Sequence, residues 1–128
     1  MGRTADAIAE GVAIATAAAK LTVRNQILVG TIAGGGIFEL DHYRDVARSA
    51  LLAMARESDD AAANLDKLRK RAKGRHSDPH GTHDYRDRDV RNLRRRAKQS
   101  TGVAERLRKM AEDPEALGAL VEEARSAA

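Results

Sequence analysis

Apolar residues recur in steps of four and three along most of this chain, the spacing of one helical face. The clearest stripe is Ala47, Leu51, Met54, Ser58, Ala61, Leu65, Leu68 and Ala72, and neither Gly nor Pro interrupts residues 37–73. It predicts a helix over about residues 39–73, roughly 50 Å long at ~1.5 Å per residue. Ser58-Asp59-Asp60 resembles an internal cap, but the stripe keeps its phase across it, which favours one continuous helix. A second stripe runs through Val90, Leu93, Ala97, Ser100, Ala104, Leu107 and Ala111, weakened only at Gly102. Asp84 with Asp87 resembles its capped start. Asp113-Pro114-Glu115 then restarts the chain, with Asp as cap and Pro as first helical residue. Leu117, Leu120, Val121 and Ala124 supply the apolar face of this last short helix.

The N-terminal stretch is Ala-rich. Thr4 can cap it, and Ile14, Leu21 and Leu28 repeat every seven residues, with Ile8, Val12, Ala15, Ala19 and Val23 broadening the apolar surface. Gly30 and the run 34–36 are expected to stop this helix. Residues 74–83, with Asp78-Pro79 between Gly74 and Gly81, read as a loop. Two long stripes flanking a ten-residue loop predict an antiparallel helical hairpin. The N- and C-terminal helices pack against its far end, so residues 1–128 form one all-α helical domain.

Charge gives this hairpin a polarity. Thirteen of the 23 Lys and Arg residues fall in the window 67–98 against four acids, a net +9. The remainder, ten cations against fifteen acids, nets −5. The window is the hairpin tip, and such a concentration draws polyanions, nucleic-acid phosphates first among them. At 100° per residue Arg88, Arg91, Arg94, Arg95 and Lys98 share an arc of about 120°, away from Val90, Leu93 and Ala97. On the preceding helix Lys67, Lys70 and Arg71 lie opposite Leu65, Leu68 and Ala72, and Lys73 follows them. A guanidinium can donate two parallel bonds to a phosphate, so these nine residues are the candidate nucleic-acid contacts.

A solvated helix surface is the plainer account of the same charges. Asp84–Arg88 and Asp87–Arg91 have the favourable i,i+4 order, and part of the charge is compensated locally. The surplus at Arg94, Arg95 and Arg96 is not. Tyr85 is the one aromatic near the tip, so base stacking and sequence-specific readout are not expected. Contact with the RNA or DNA backbone, or with an acidic protein, is.

Other chemistry finds little support. Without cysteine there is no disulfide, thiolate nucleophile or thiolate-bound zinc. His76, His80 and His83, with Asp78 and Asp84, have metal-ligand chemistry. They lack the His-Glu-x-x-His helix motif and read better as loop histidines whose protonation near pH ~6.5 adds positive charge. The glycine run lacks the Lys-Ser/Thr ending of a P-loop and the dinucleotide fingerprint. No catalytic constellation can be specified, so neither an enzyme nor a cofactor is expected. The longest nearly apolar run, residues 12–19, falls short of the ~20 residues a bilayer span needs. Asp6 and Glu10 spoil a secretion signal, and the cytoplasm is the expected compartment. The second functional possibility is a helical interaction or assembly module, in which the seven-residue stripes form a homo-oligomer and the charges select partners.

The segments KLTVRNQILV at 20–29 and HDYRDRDV at 83–90 resemble parts of small bacterial helical proteins of unassigned activity, some labelled asparagine synthase. The resemblance covers most of the chain and implies no site residues. The label conflicts with the chemistry: glutamine-dependent asparagine synthesis uses a cysteine nucleophile and a glycine-serine pyrophosphate loop, and this chain has neither.

Overall fold

The computed structural model describes residues 2–34, 37–74 and 85–128, with side chains except at 32–34, 73–74 and 85–87. It contains four helices, α1 (Arg3–Gly34), α2 (Leu40–Gly74), α3 (Tyr85–Glu112) and α4 (Pro114–Ala127), and no strand among the described residues. The expected all-α bundle built on a long hairpin is what the chain forms.

α2 and α3 make the most extensive pairing, and it is antiparallel. Arg48 lies beside Ala111, Asp59 beside Arg108, and Leu68 and Ala72 beside Leu93 and Asp89. The sequence stripes supply part of the seam: Ala47, Leu51 and Ala72 on α2 and Val90, Ala97, Ala104, Leu107 and Ala111 on α3 are buried. Ala55, outside the expected stripe, joins them, whereas Met54, Ser58, Ala61 and Leu65 turn to the groove beside α1 and Leu68 is 44% exposed. Small residues dominate the seam, so the helices approach closely. α2 runs through Ser58 without a break. Arg48 Nε donates to the Ala111 carbonyl at 3.1 Å, satisfying an acceptor that the end of α3 would otherwise leave open.

α4 behaves as its sequence dictates. The Asp113 side chain accepts from the Glu115 amide at 3.0 Å, Pro114 opens the helix, and Leu117, Leu120, Val121 and Ala124 are all buried. They join Ala19, Val23 and Ile27 of α1 in the core at the hairpin's base.

α1 ends at Gly34, the first residue of the glycine run expected to stop it, but it runs through Gly30 and begins at Arg3, which puts Thr4 inside the helix rather than at its cap. A Cβ at residue 30 would lie 2.7 Å from the Tyr43 hydroxyl, so this glycine permits contact with α2. The buried face also differs. Ala19, Val23 and Ile27 point inward with Ile8, Val12 and Ala15 packed beside them, whereas Ile14, Leu21 and Leu28 are 65%, 54% and 38% exposed. The smaller side chains won because α1 docks through close approaches. A Cβ on Gly11 would meet Val103 at 2.7 Å, and one on Gly102 would meet Ile8 at 2.5 Å.

The packing is tiered along the hairpin. Four helices meet at the base and three at mid-length. Toward the tip α2 and α3 alone line a groove of Leu68, Ala72, Asp89, Leu93 and Arg96, and this two-helix end is the overhang. The accessible surface of 8640 Å² exceeds the ~6600 Å² expected for a compact monomer of this mass, in keeping with an elongated hairpin.

Candidate nucleic-acid interface

The overhanging end carries the candidate cations. Arg88, Arg91, Arg94, Arg95 and Lys98 on α3 are all exposed, as are Lys67, Lys70 and Arg71 on α2. Lys73 lies on the last turn of α2, with its side chain outside the described residues. His76, His80 and His83 and the carboxylates Asp78, Asp84 and Asp87 also fall outside them. Among the described residues no group of His, Cys, Asp and Glu is arranged to hold a metal.

The cations differ in their engagement. Away from the tip, Arg44 and Arg48 pair with Asp41 and Asp45 at 3.1 and 2.9 Å, Lys20 pairs with Glu123, and Arg108 with Asp59. On the overhang, Arg69 pairs with Asp66 at 3.2 Å. None of the eight exposed candidates forms an ion pair with another described residue. Their neighbours on the seam, Val90 and Ala97, are apolar.

The two cationic sets share one end of the molecule but not one surface. Val90 and Ala97 face α2 and Ala72 faces α3, so residues opposite them look outward on different sides of the hairpin. The α3 stripe therefore forms one outer edge, while Lys67 and Arg71 lie on the other side of the apolar seam. A flat partner meets one edge at a time.

Sequence counting missed part of the α3 edge. Arg106 and Lys109 are exposed and keep the phase of Arg88, Arg91, Arg95 and Lys98, extending the row to about 32 Å from Arg88 to Lys109. Their signal was the phase, obscured in a charge window by nearby Glu105 and Glu112. Arg96 is different: it lies on the flank of α3, between two open grooves.

Compared with protein families, curated proteins and solved structures, the chain finds no match. Among the described residues, no helix is long and apolar enough to cross a membrane.

Proposed function

We propose that this is a non-enzymatic helical protein that binds nucleic-acid backbone, with little sequence preference, through the outer edge of α3 at the hairpin tip. The observation that carries the reading is the row itself: Arg88, Arg91, Arg94, Arg95 and Lys98 crowd one side of α3 within eleven residues, all exposed and none paired with a described carboxylate. Arginines in a helical row can each bridge a phosphate while the apolar seam stays intact. Lys67, Lys70 and Arg71 form a second cationic edge on the other side of the hairpin, available to a separate backbone.

Low specificity follows from the residue types. The edge offers Arg and Lys to phosphates, contacts that carry no sequence information, and residues 88–112 contain no aromatic side chain to stack on bases. Fluorescence anisotropy with unrelated 20-base-pair duplexes and an RNA duplex, at 50 mM salt, tests this. Dissociation constants that agree across sequences support the reading, and absence of binding to all of them at low salt removes it.

The alternative is an assembly module without nucleic acid, and the structure narrows its form. Leu51 and Leu107 are fully buried inside one chain, so the α2 and α3 stripes serve the internal seam rather than an oligomer. Any self-association must use another surface. α1 supplies one.

A further inference from the structure

α1 is apolar around most of its circumference, yet it is packed on one side only. Helices apolar all round are normally enclosed all round. Its outer face presents Ile14, Leu21 and Leu28, exposed by 65%, 54% and 38%. Glu10, Ala17 and Arg24 fall between them in the four-three order of a helix-pairing seam, all exposed.

We infer that this face is a homodimer interface, in which α1 of one copy lies antiparallel against α1 of a second. Two features select a second copy, and both are self-complementary. The first is steric. A two-fold axis between Ala17 and Ala18 sets Ile14 of each copy against Leu21 of the other, with only methyl groups at the crossing point. The second is electrostatic. On this face Arg3, Asp6 and Glu10, net −1, lie on the N-terminal side of that axis, and Lys20 and Arg24, net +2, on the C-terminal side. Antiparallel pairing brings Glu10 of each copy within a turn of Arg24 of the other, whereas parallel pairing stacks like charges. Lys20 is already paired with Glu123. Neither Glu10 nor Arg24 pairs with any described residue, so both are available. The open groove of ≈ 780 Å³ beside α1, walled by Gly11, Ile14 and Ala18 on one side and Met54 and Ala61 on the other, continues the same apolar surface. It gives the second helix lateral room.

The pairing stands independently of the nucleic-acid reading but gives it a consequence. The N-terminal end of α1 points toward the hairpin tip, so antiparallel α1 helices send the two tips to opposite ends of the dimer. Such a dimer presents one cationic edge at each end and is built to bridge two backbones.

Sedimentation equilibrium of the full chain over a concentration series tests the inference. The expected result is a rise from 13.8 kDa to twice that mass, lost in Ile14→Glu/Leu21→Glu with helical circular dichroism unchanged. A wild-type chain that stays monomeric at every concentration overturns the inference, as does a dimer that survives the double substitution. Because the chain has no native cysteine, single cysteines report the register. With a short bismaleimide, Ala17→Cys should crosslink efficiently. Arg24→Cys should not, since antiparallel copies hold those positions about 20 Å apart along the axis. Equal crosslinking at both sites overturns the antiparallel arrangement. Glu10→Arg should weaken pairing several-fold, and Glu10→Arg/Arg24→Glu should restore it; failure of the restoration removes the electrostatic part.

Discussion

Neutralising the outer edge of α3 should change how binding responds to salt. The perturbation is Arg91→Gln, Arg94→Gln, Arg95→Gln and Lys98→Gln together. These residues are seven steps apart end to end, about 10 Å of helix, and a duplex carries one charge per ~1.7 Å of its axis. About six phosphate charges thus lie alongside, enough for four contacts. Each neutralised phosphate contributes about 0.9 to the slope of log K against log salt, so the variant should lose about 3.6 units of slope. Between 50 and 200 mM salt that slope corresponds to a roughly 150-fold fall in wild-type affinity, which the variant should not show. The assay is anisotropy on one duplex across that salt range. Substituting Arg125, an exposed cation on α4 at the hairpin's base, should leave the slope in place. A slope within about one unit of wild type in the fourfold variant refutes α3 as the contact.

The same measurement maps the extent of the edge: Arg106→Gln/Lys109→Gln should remove about 1.8 units of slope if the row continues up α3, and an unchanged slope ends the contact near Lys98. Gly11→Ala should destabilise more than Gly102→Ala, by melting temperature. The new methyl at 11 meets a β-branched methyl of Val103, whereas at 102 it meets the movable end of Ile8. In both, the better helix propensity of Ala offsets up to ~1 kcal/mol; equal melting temperatures would deny the difference in compliance. Asp113→Ala should cost about 1 kcal/mol in urea unfolding through loss of the α4 cap, and a shift under ~0.3 kcal/mol would mean that Pro114 and the buried face fix α4 without it.

How much of this could be read from sequence depends on whether one face of a helix was clearly apolar. Most of the α3 side of the seam could, because Ala104 and Leu107 leave the opposite side of that helix polar; on α2 Leu51 was legible, but the stripe passes through Met54 while Ala55 is the buried residue. α4 could, because its cap and its four buried residues agree. α1 could not. With alanine on every side, its apolar period fits two faces, and the larger residues Ile14, Leu21 and Leu28 mark the one left outside. What chose the inner face is shape between distant segments: Gly11 against Val103, Gly102 against Ile8, Gly30 against Tyr43. A glycine in a helix can mean a stop or a close approach, and only the facing residue tells which. The charged window located the cationic end, but segment counts cannot tell that Lys67 and Arg71 look away from the α3 edge. That distinction needs the seam between the two helices.

If the α3 cations are held for a partner rather than for the fold, removing them should not weaken the protein. Arg91–Arg95 and Arg94–Lys98 are i,i+4 like-charge pairs, and Arg91–Arg94 and Arg95–Lys98 are i,i+3 pairs. At about 0.2–0.5 kcal/mol each, their mutual repulsion totals about 1–2 kcal/mol at low salt. The fourfold variant should therefore melt a few degrees higher than wild type in dilute buffer. Its formal charge falls from +4 to neutral, which lowers the self-repulsion of the compact state further. The gain should fade toward 1 M salt, where the screening length shrinks to ~3 Å. Thermal unfolding by circular dichroism at two salt concentrations reads both effects. A drop of several degrees instead would mean that these guanidinium groups are clasped by carboxylates when the protein folds. The row would then be a structural network, and its availability to phosphate would fail with it.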